Sequence, residues 1–598
     1  MSDKQEKKLT GYPSIDKPWL KYYSEEAVSA PLPECTVYEN IWQHNKDHLD
    51  DIALEYYGHK TSYRKLFAET ERAAKALRAA GVKCGDCVAL CTAGVPEAVH
   101  LVLACSRIGA VANFINPMFS EDQMVGRIND TGADLLLVLD AMYKYIADAV
   151  DKTCAKRIVS IPIAGSLSVP ARIIAALKSK PDKRLRDAMK GLEKYTYWRE
   201  FVSGADGYAG AIDEPYEKDR PTVMVYSSGT TGASKGIQLT NDGINATITQ
   251  YKYMTTELSR QMSFLHFIPC WFSTGIVVCL LMPLCLDMRV ILEPDFGIEQ
   301  FAADLIRYKP NFAFSITSHW LYAAKNRSME NISLDFLAYP ISGGEALTAK
   351  SEQQINRFIF ARSGSVRLAT GWGMCELGAT VTATTTTTLT RNPELRRPGS
   401  SGIPIPLAAV AAFDAETGRE LPYGERGELR AMTPSRMLGY YKNPEATAEF
   451  FKTDAQGRVW GCTGDMGYVD SNGLVYVLGR MTDCCRAENG ETVYLFDVEN
   501  VILQEEAVEQ CKTVDIVIDG KTVPAAHLVL SDGCNESVGE IIRRLNALCR
   551  KELPEYAVPR AYKLRRSFPA KPSGKQDADA LRNERDGYVD ADGKDISL

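Results

Sequence analysis

The chain has 598 residues, 45% hydrophobic and 24% charged, a soluble globular composition too long for one core; length alone suggests roughly three or four folding units. A formal charge of −7 and a pI near 5.7 argue against nucleic acid as a partner, because binding a phosphate backbone needs a basic face. The 16 cysteines show no repeating spacing and read as reduced thiols of a cytoplasmic protein rather than a disulfide framework.

The start is polar and lacks the apolar stretch of a secretory signal. Residues 1–35 carry Pro13, Pro18, Pro31 and Pro33, the makeup of an extended arm laid over the surface. From 36 to about 150, helix-like and strand-like segments alternate: apolar residues at helical spacing over 63–81, a strand at 88–91, a helix at 96–108. That alternation predicts a parallel sheet with helices packed on it. Cys84 and Cys87 form a Cys-x-x-Cys pair, but a zinc ribbon needs a second pair and none is evident.

Residues 178–194 hold seven Lys/Arg among seventeen, the pattern of a solvated helix face, with docking of an acidic carrier protein or an anionic lipid as the other readings. A second alternating series runs over 223–368, with strands expected at 264–269, 289–292, 312–316 and 336–342. Within it, residues 276–286 are the most apolar run; broken by Pro283, they read as a buried segment, not a membrane span. The tract 382–390 is nearly all threonine and reads as strand plus loop. Gly- and Pro-rich turns over 397–428 introduce a β-rich portion. After Arg480 the pattern becomes a compact α+β unit ending near 581, and 583–598 reads as a loose tail.

The densest chemistry lies at Ser227-Ser228-Gly229-Thr230-Thr231-Gly232-Ala233-Ser234-Lys235-Gly236, after a short β-branched run. Glycine permits the left-handed backbone that lets successive N–H groups converge into a nest for phosphate oxygens. The hydroxyls add donors and Lys235 a positive point charge. It is not a Walker A loop, which needs Gly-Lys-Ser/Thr opening a helix; here Ser234 precedes Lys235 and residues 236–240 alternate like a strand.

This loop resembles the phosphate loop of the adenylate-forming superfamily, which comprises acyl-CoA synthetases, peptide-synthetase adenylation domains and luciferases. Further segments match that family in order, over about residues 36–581. Gly371-Trp372-Gly373-Met374-Cys375-Glu376 stands where the family has Tyr-Gly-x-Thr-Glu, with Ser342-Gly343-Gly344-Glu345 upstream matching its turn against the adenine. Gly427-Glu428-Leu429, followed by Gly439-Tyr440-Tyr441-Lys442-Asn443-Pro444, matches a motif of mostly architectural role. Thr463-Gly464-Asp465 leads to Gly479-Arg480, and Ser573-Gly574-Lys575 matches the C-terminal lysine motif.

The resemblance implies an α/β fold: a large N-terminal domain (1–480) of stacked α/β sheets plus a β-rich subdomain, and a small mobile α+β C-terminal domain (481–598) turning about a hinge near Thr482 and Asp483. It implies an ATP/AMP site of Ser227, Ser228, Gly229, Thr230, Thr231, Gly232, Lys235, Gly344, Glu345, Gly371, Trp372, Gly373, Asp465 and Arg480. In it Trp372 would flank the adenine, Glu376 hold Mg²⁺, Asp465 accept from both ribose hydroxyls, and Lys575, Glu376 and Thr230 serve catalysis. Two syn hydroxyls suit the two oxygens of one carboxylate. Arg486 and Gly490 match the loop beside which the CoA pantetheine passes. Cys375 replaces the family's threonine hydroxyl.

Trp271-Phe272 stands where acyl-CoA synthetases have Phe-His, and Phe272 matches the position where amino-acid activators place an aspartate to pair with the ammonium. Phe272 cannot pair with an ammonium, and a buried unpaired charge costs several kcal/mol, so an apolar acid, fatty or aromatic, is expected. The reading is an acid–CoA ligase that uses ATP, Mg²⁺ and CoA, without a transmembrane segment and with peripheral membrane contact left open. Loading of a separate acyl carrier protein is the alternative, and a ligand-binding protein of the same fold a further one.

Overall fold

A computed structural model describes residues 9–167, 183–191, 194–227, 234–254, 257–345, 347–531, 533–569 and 576–596. Residues 228–233 and Lys575, expected in the nucleotide site, lie outside that range.

Among the described residues two large sheets dominate. The first has eight strands in the order Gly439–Tyr440, Gly236–Thr240, Pro221–Tyr226, Val111–Phe114, Cys87–Cys91, Leu135–Leu139, Arg157–Ile161 and Tyr195–Tyr197. From Pro221–Tyr226 to Tyr195–Tyr197 neighbouring strands run parallel. Helices Tyr63–Ala79 and Pro96–Ile108 pack against each other, the second covered on almost every side. Full burial explains why strands such as Leu135–Leu139 are unbroken runs of Leu and Val rather than alternating ones.

The second sheet has nine strands, Ile403–Pro404, Thr382–Thr384, Ala369–Trp372, Tyr339–Ser342, Phe312–Ser315, Ser263–His266, Arg289–Leu292, Ile52–Tyr56 and His59–Ser62. The five strands from Ala369–Trp372 to Arg289–Leu292 pair in parallel. The apolar run is buried as expected: it forms a π-helix over Thr274–Leu281 and the short helix Met282–Cys285, which Pro283 opens. A five-stranded antiparallel sheet around Val459–Val469 is the β-rich portion. A separate core supports the C-terminal sheet of Val508–Ile518, Lys521–Leu530, Ala561–Arg565, Tyr588–Val589 and Asp595–Ile596.

Three expectations need correction. The N-terminal arm is not merely extended: it forms short helices at Pro13–Asp16, Pro18–Tyr22 and Glu25–Val28, anchored by a fully buried Trp19. The threonine tract is a strand only at Thr382–Thr384. Thr385 then accepts a bond from the Thr388 N–H and starts the helix Thr386–Arg391, so capping chemistry outweighs β propensity. The tail is not loose: Tyr588–Val589 and Asp595–Ile596 extend the C-terminal sheet, and buried Tyr588 shares a 3.0 Å hydrogen bond with His527 Nε2. The basic stretch is described in part; its helix Lys183–Gly191 pairs Arg184 with Asp148 on the surface.

Candidate functional site

The loop with the Ser/Thr/Gly sequence spans a hairpin. Strand Pro221–Tyr226 enters it, strand Gly236–Thr240 leaves it, and helix Asn241–Met254 follows. Its ends are pinned together: the Ser227 N–H donates to the Lys235 carbonyl (3.0 Å) and the Lys235 N–H to Ser227 Oγ (3.0 Å). The loop leaves at the carboxyl end of a parallel strand, where open α/β sheets bind ligands. Gly343 and Gly344 follow the carboxyl end of Tyr339–Ser342, and Trp372 ends Ala369–Trp372, so these segments come off the same edge of the second sheet.

The Lys235 ammonium sits 5.0 Å from the ring centroid of Tyr440, whose strand Gly439–Tyr440 pairs with Gly236–Thr240. The Tyr440 hydroxyl donates to Glu376 Oε1 at 2.9 Å, and both side chains are buried. Burial raises the Glu376 carboxyl above the usual carboxylate range, partly opposed by the Tyr440 bond and the positive charges of Arg480 and Lys235. The Glu376 main chain is fixed as well, its carbonyl accepting from Met437 N at 2.8 Å. Tyr440 was legible only as part of an architectural motif; its tie to a residue 64 positions away has no signal in the sequence.

Asp465 and Arg480 face each other across the antiparallel strands Val459–Val469 and Val475–Arg480. Arg480 Nε lies 3.0 Å from Asp465 Oδ1, and its Nη1 donates to the Thr463 carbonyl at 2.8 Å. The Trp372 indole N–H donates to the other oxygen, Oδ2, at 2.8 Å. Next to it a Cβ on Gly373 would lie 2.0 Å from the Ala379 carbonyl, so only glycine lets the chain turn there.

Other expected residues are more dispersed. Gly344 is exposed with φ +86°, whereas Glu345 is half-buried and its Oε2 accepts from Ser318 N at 3.0 Å, at the start of helix Thr317–Lys325. That helix has no side-chain cap of its own, so the carboxylate meets one of its orphan N–H groups. Trp271 is buried edge-on against Phe296 at 5.4 Å, and Phe272 beside it is half-buried. Thr482 is exposed in the turn between Arg480 and strand Cys484–Arg486; Asp483 N donates to the Arg480 carbonyl at 3.0 Å. Arg486 donates to the Gly490 carbonyl at 3.0 Å, both on the surface. Polar ties join this last unit to the rest: Lys350 Nζ donates to the carbonyls of Glu505, Glu506 and Val508, Lys325 pairs with Glu509, and Arg426 with Asp497.

Among the described residues no helix is long and apolar enough to cross a membrane. No three or more metal-ligating side chains converge among them either. A buried carboxylate already held by a phenol suits a cation that takes the rest of its ligands from phosphate oxygens and water, as Mg²⁺ does.

The sequence profile of the AMP-binding enzyme family matches residues 41–441, and that of the AMP-binding enzyme C-terminal domain matches 497–575. A long-chain-fatty-acid–CoA ligase of Bacillus subtilis (strain 168) is 25% identical over 565 residues, 94% of this chain and 96% of that protein. A ligase of the same name from Escherichia coli O6:H1 is 24% identical over 593 residues, covering 96% of this chain and all of that protein (100%). In fold, the crystal structure of the anthranilate CoA ligase AuaEII in complex with anthranoyl-AMP superposes with a TM-score of 0.75 at 22% identity, over 92% of this chain and 97% of that one.

Proposed function

The chain belongs to the AMP-binding enzyme family, and on that premise we propose that it is an acid–CoA ligase. It couples an apolar carboxylic acid to CoA: RCOO⁻ + ATP gives acyl-AMP and pyrophosphate, then the CoA thiol attacks the acyl carbonyl and AMP leaves. The observation that supports the reading is a pair of contact sets, Lys235–Tyr440–Glu376 and Trp372–Asp465–Arg480, with the charges of both Lys235 and Arg480 acting on Glu376. Long-chain-fatty-acid–CoA ligases among the relatives support a fatty acyl group.

The first step sets one anion against another, so its barrier falls with positive charge and oriented N–H groups at the phosphates. Lys235 supplies charge from a fixed seat over Tyr440. The loop 227–232 and Lys575 would add donors and a second cation, following the family resemblance. Asp465 accepts the ribose hydroxyls and Trp372 offers its face to the base. Glu376 and the triphosphate oxygens would hold Mg²⁺, which supplies Lewis-acid charge neutralisation when bound. The substrate carboxylate is itself the nucleophile, so no activated serine or cysteine is needed. We place the division between the two domains at 480/481, with Thr482 and Asp483 as the pivot and Arg486 and Gly490 beside the entering thiol. All sixteen cysteines are free thiols, which favours a reducing, cytoplasmic setting.

The test is pyrophosphate release over a library of acids, with and without CoA. Release should rise from acetate to octanoate and longer or aromatic acids, with thioester formed only when CoA is present. About four buried methylenes at about 0.8 kcal/mol each amount to more than a hundredfold in specificity. A robust preference for free amino acids would overturn the acyl assignment. Pyrophosphate release without any CoA thioester would move the acceptor to a carrier protein.

A further inference from the structure

The carboxylate assigned to the ribose receives a donor on each of its oxygens. Asp465 is 7% exposed and sits in the β-rich sheet; Trp372 ends a strand of the nine-stranded sheet, 93 positions earlier. The indole N–H takes Oδ2 at 2.8 Å and the Arg480 Nε–H takes Oδ1 at 3.0 Å. Rotation about the last torsion of a carboxylate side chain is soft and roughly two-fold. With one donor on each oxygen, the plane is fixed.

We propose that Trp372 is a positioning residue for nucleotide sugar recognition: by holding Asp465 through its indole N–H, it sets the preference of this site for ribonucleoside over 2′-deoxyribonucleoside triphosphates. This rests on the nucleotide-site reading above and deepens it. Stacking on the base needs only an aromatic face, which phenylalanine supplies equally well. The N–H is what tryptophan adds, and here it points at the sugar's acceptor rather than at solvent. A residue that merely filled space beside the base would treat ATP and 2′-deoxy-ATP alike.

The experiment compares wild type, Trp372→Phe and Trp372→Tyr by calorimetric binding of ATP and 2′-deoxy-ATP and by kcat/KM for each in pyrophosphate release. Wild type should favour ATP, and Trp372→Phe should lose about tenfold of that preference, the scale of one hydrogen bond to a charged group. The loss should fall on ATP, with 2′-deoxy-ATP changed far less. Equal weakening of both nucleotides would overturn the proposal and leave Trp372 as a stacking residue. Failure of wild type to bind ATP at all would instead overturn the nucleotide reading. Should the phenylalanine variant not fold, the indole ¹⁵N–¹H resonance of Trp372 in the otherwise native chain still decides. It should sit downfield and move on Asp465→Asn, and a resonance indifferent to that change refutes the bond.

Discussion

Tyr440 shows how a site residue escapes sequence inspection. Its ring lies beneath the Lys235 ammonium and its hydroxyl serves Glu376, yet glycine-flanked tyrosines on short strands are ordinary packing residues. The motif residues Lys235, Glu376, Asp465 and Arg480 were legible because each sits in a short run of unusual composition. The bonds that link them, Trp372 to Asp465 and Tyr440 to Glu376, were not, since contact between distant positions leaves no local trace. The Tyr440 hydroxyl has a checkable weight. Hydrogen bonds to charged groups contribute about 1.5–3 kcal/mol, and Glu376 is already raised by burial. Tyr440→Phe should raise that carboxyl further and increase the Mg²⁺ concentration for half-maximal pyrophosphate release by roughly tenfold or more. The ring stays in place, so any loss of stability should not exceed the weight of that one bond, about 1–3 kcal/mol. An unchanged Mg²⁺ titration would detach Tyr440 from the function of Glu376.

At the scale of elements, strands and helices in the parallel series were predictable because full burial imposes long apolar runs with clear ends. Pro96–Ile108 and Arg289–Leu292 lie where the pattern put them. The threonine tract failed because hydroxyl capping competes with β propensity, and the tail because its strands are only two residues each. One junction carries a stability consequence. Glu293, just after strand Arg289–Leu292, and Asp304, in helix Ile298–Tyr308, are buried acids. Burial first, then the charge of Asp304, pushes Glu293 from the usual 4.5 up to about 8. Asp304 is likewise raised by burial, against bonds from Gln300 and the nearby charge of Arg307. A raised acid binds more protons folded than unfolded, so its contribution is intact below the unfolded pKa and is lost as pH rises through the folded one. Stability should therefore fall between about pH 4.5 and about 8, by up to about 1.4 kcal/mol per pH unit for each proton held only in the folded state. Glu293→Gln should flatten that slope and melt higher than wild type at pH 8. Parallel melting curves for the two proteins from pH 5 to 8 would contradict the assignment.

For the whole molecule, a large and a small unit were expected from the change of pattern along the sequence, and the buried clusters of residues 19–477 are separate from those of 485–596. How the units are tied was not legible, because Lys350, Lys325 and Arg426 look like any surface cations in the sequence. Among the described residues those ties are hydrogen bonds and ion pairs, and on the proposed mechanism they must give way as the small unit turns about Thr482. On the proposed mechanism rotation matters because adenylation and thiol transfer need different groups at one site. There Lys575, matched to the family's C-terminal lysine, would serve the first step alone. Lys575→Ala should lower acyl-adenylate formation from acid and ATP by about a hundredfold or more, the scale of losing one charge-stabilising donor in a dry site. Thioester formation from supplied acyl-adenylate and CoA should be nearly unaffected, since the small unit then presents its other face. Measuring both half-reactions on one preparation removes folding as an explanation, because a misfolded chain fails in both. Equal loss in the two, by a variant that melts like wild type, would show that Lys575 stays in the site throughout and that the small domain does not exchange faces between steps.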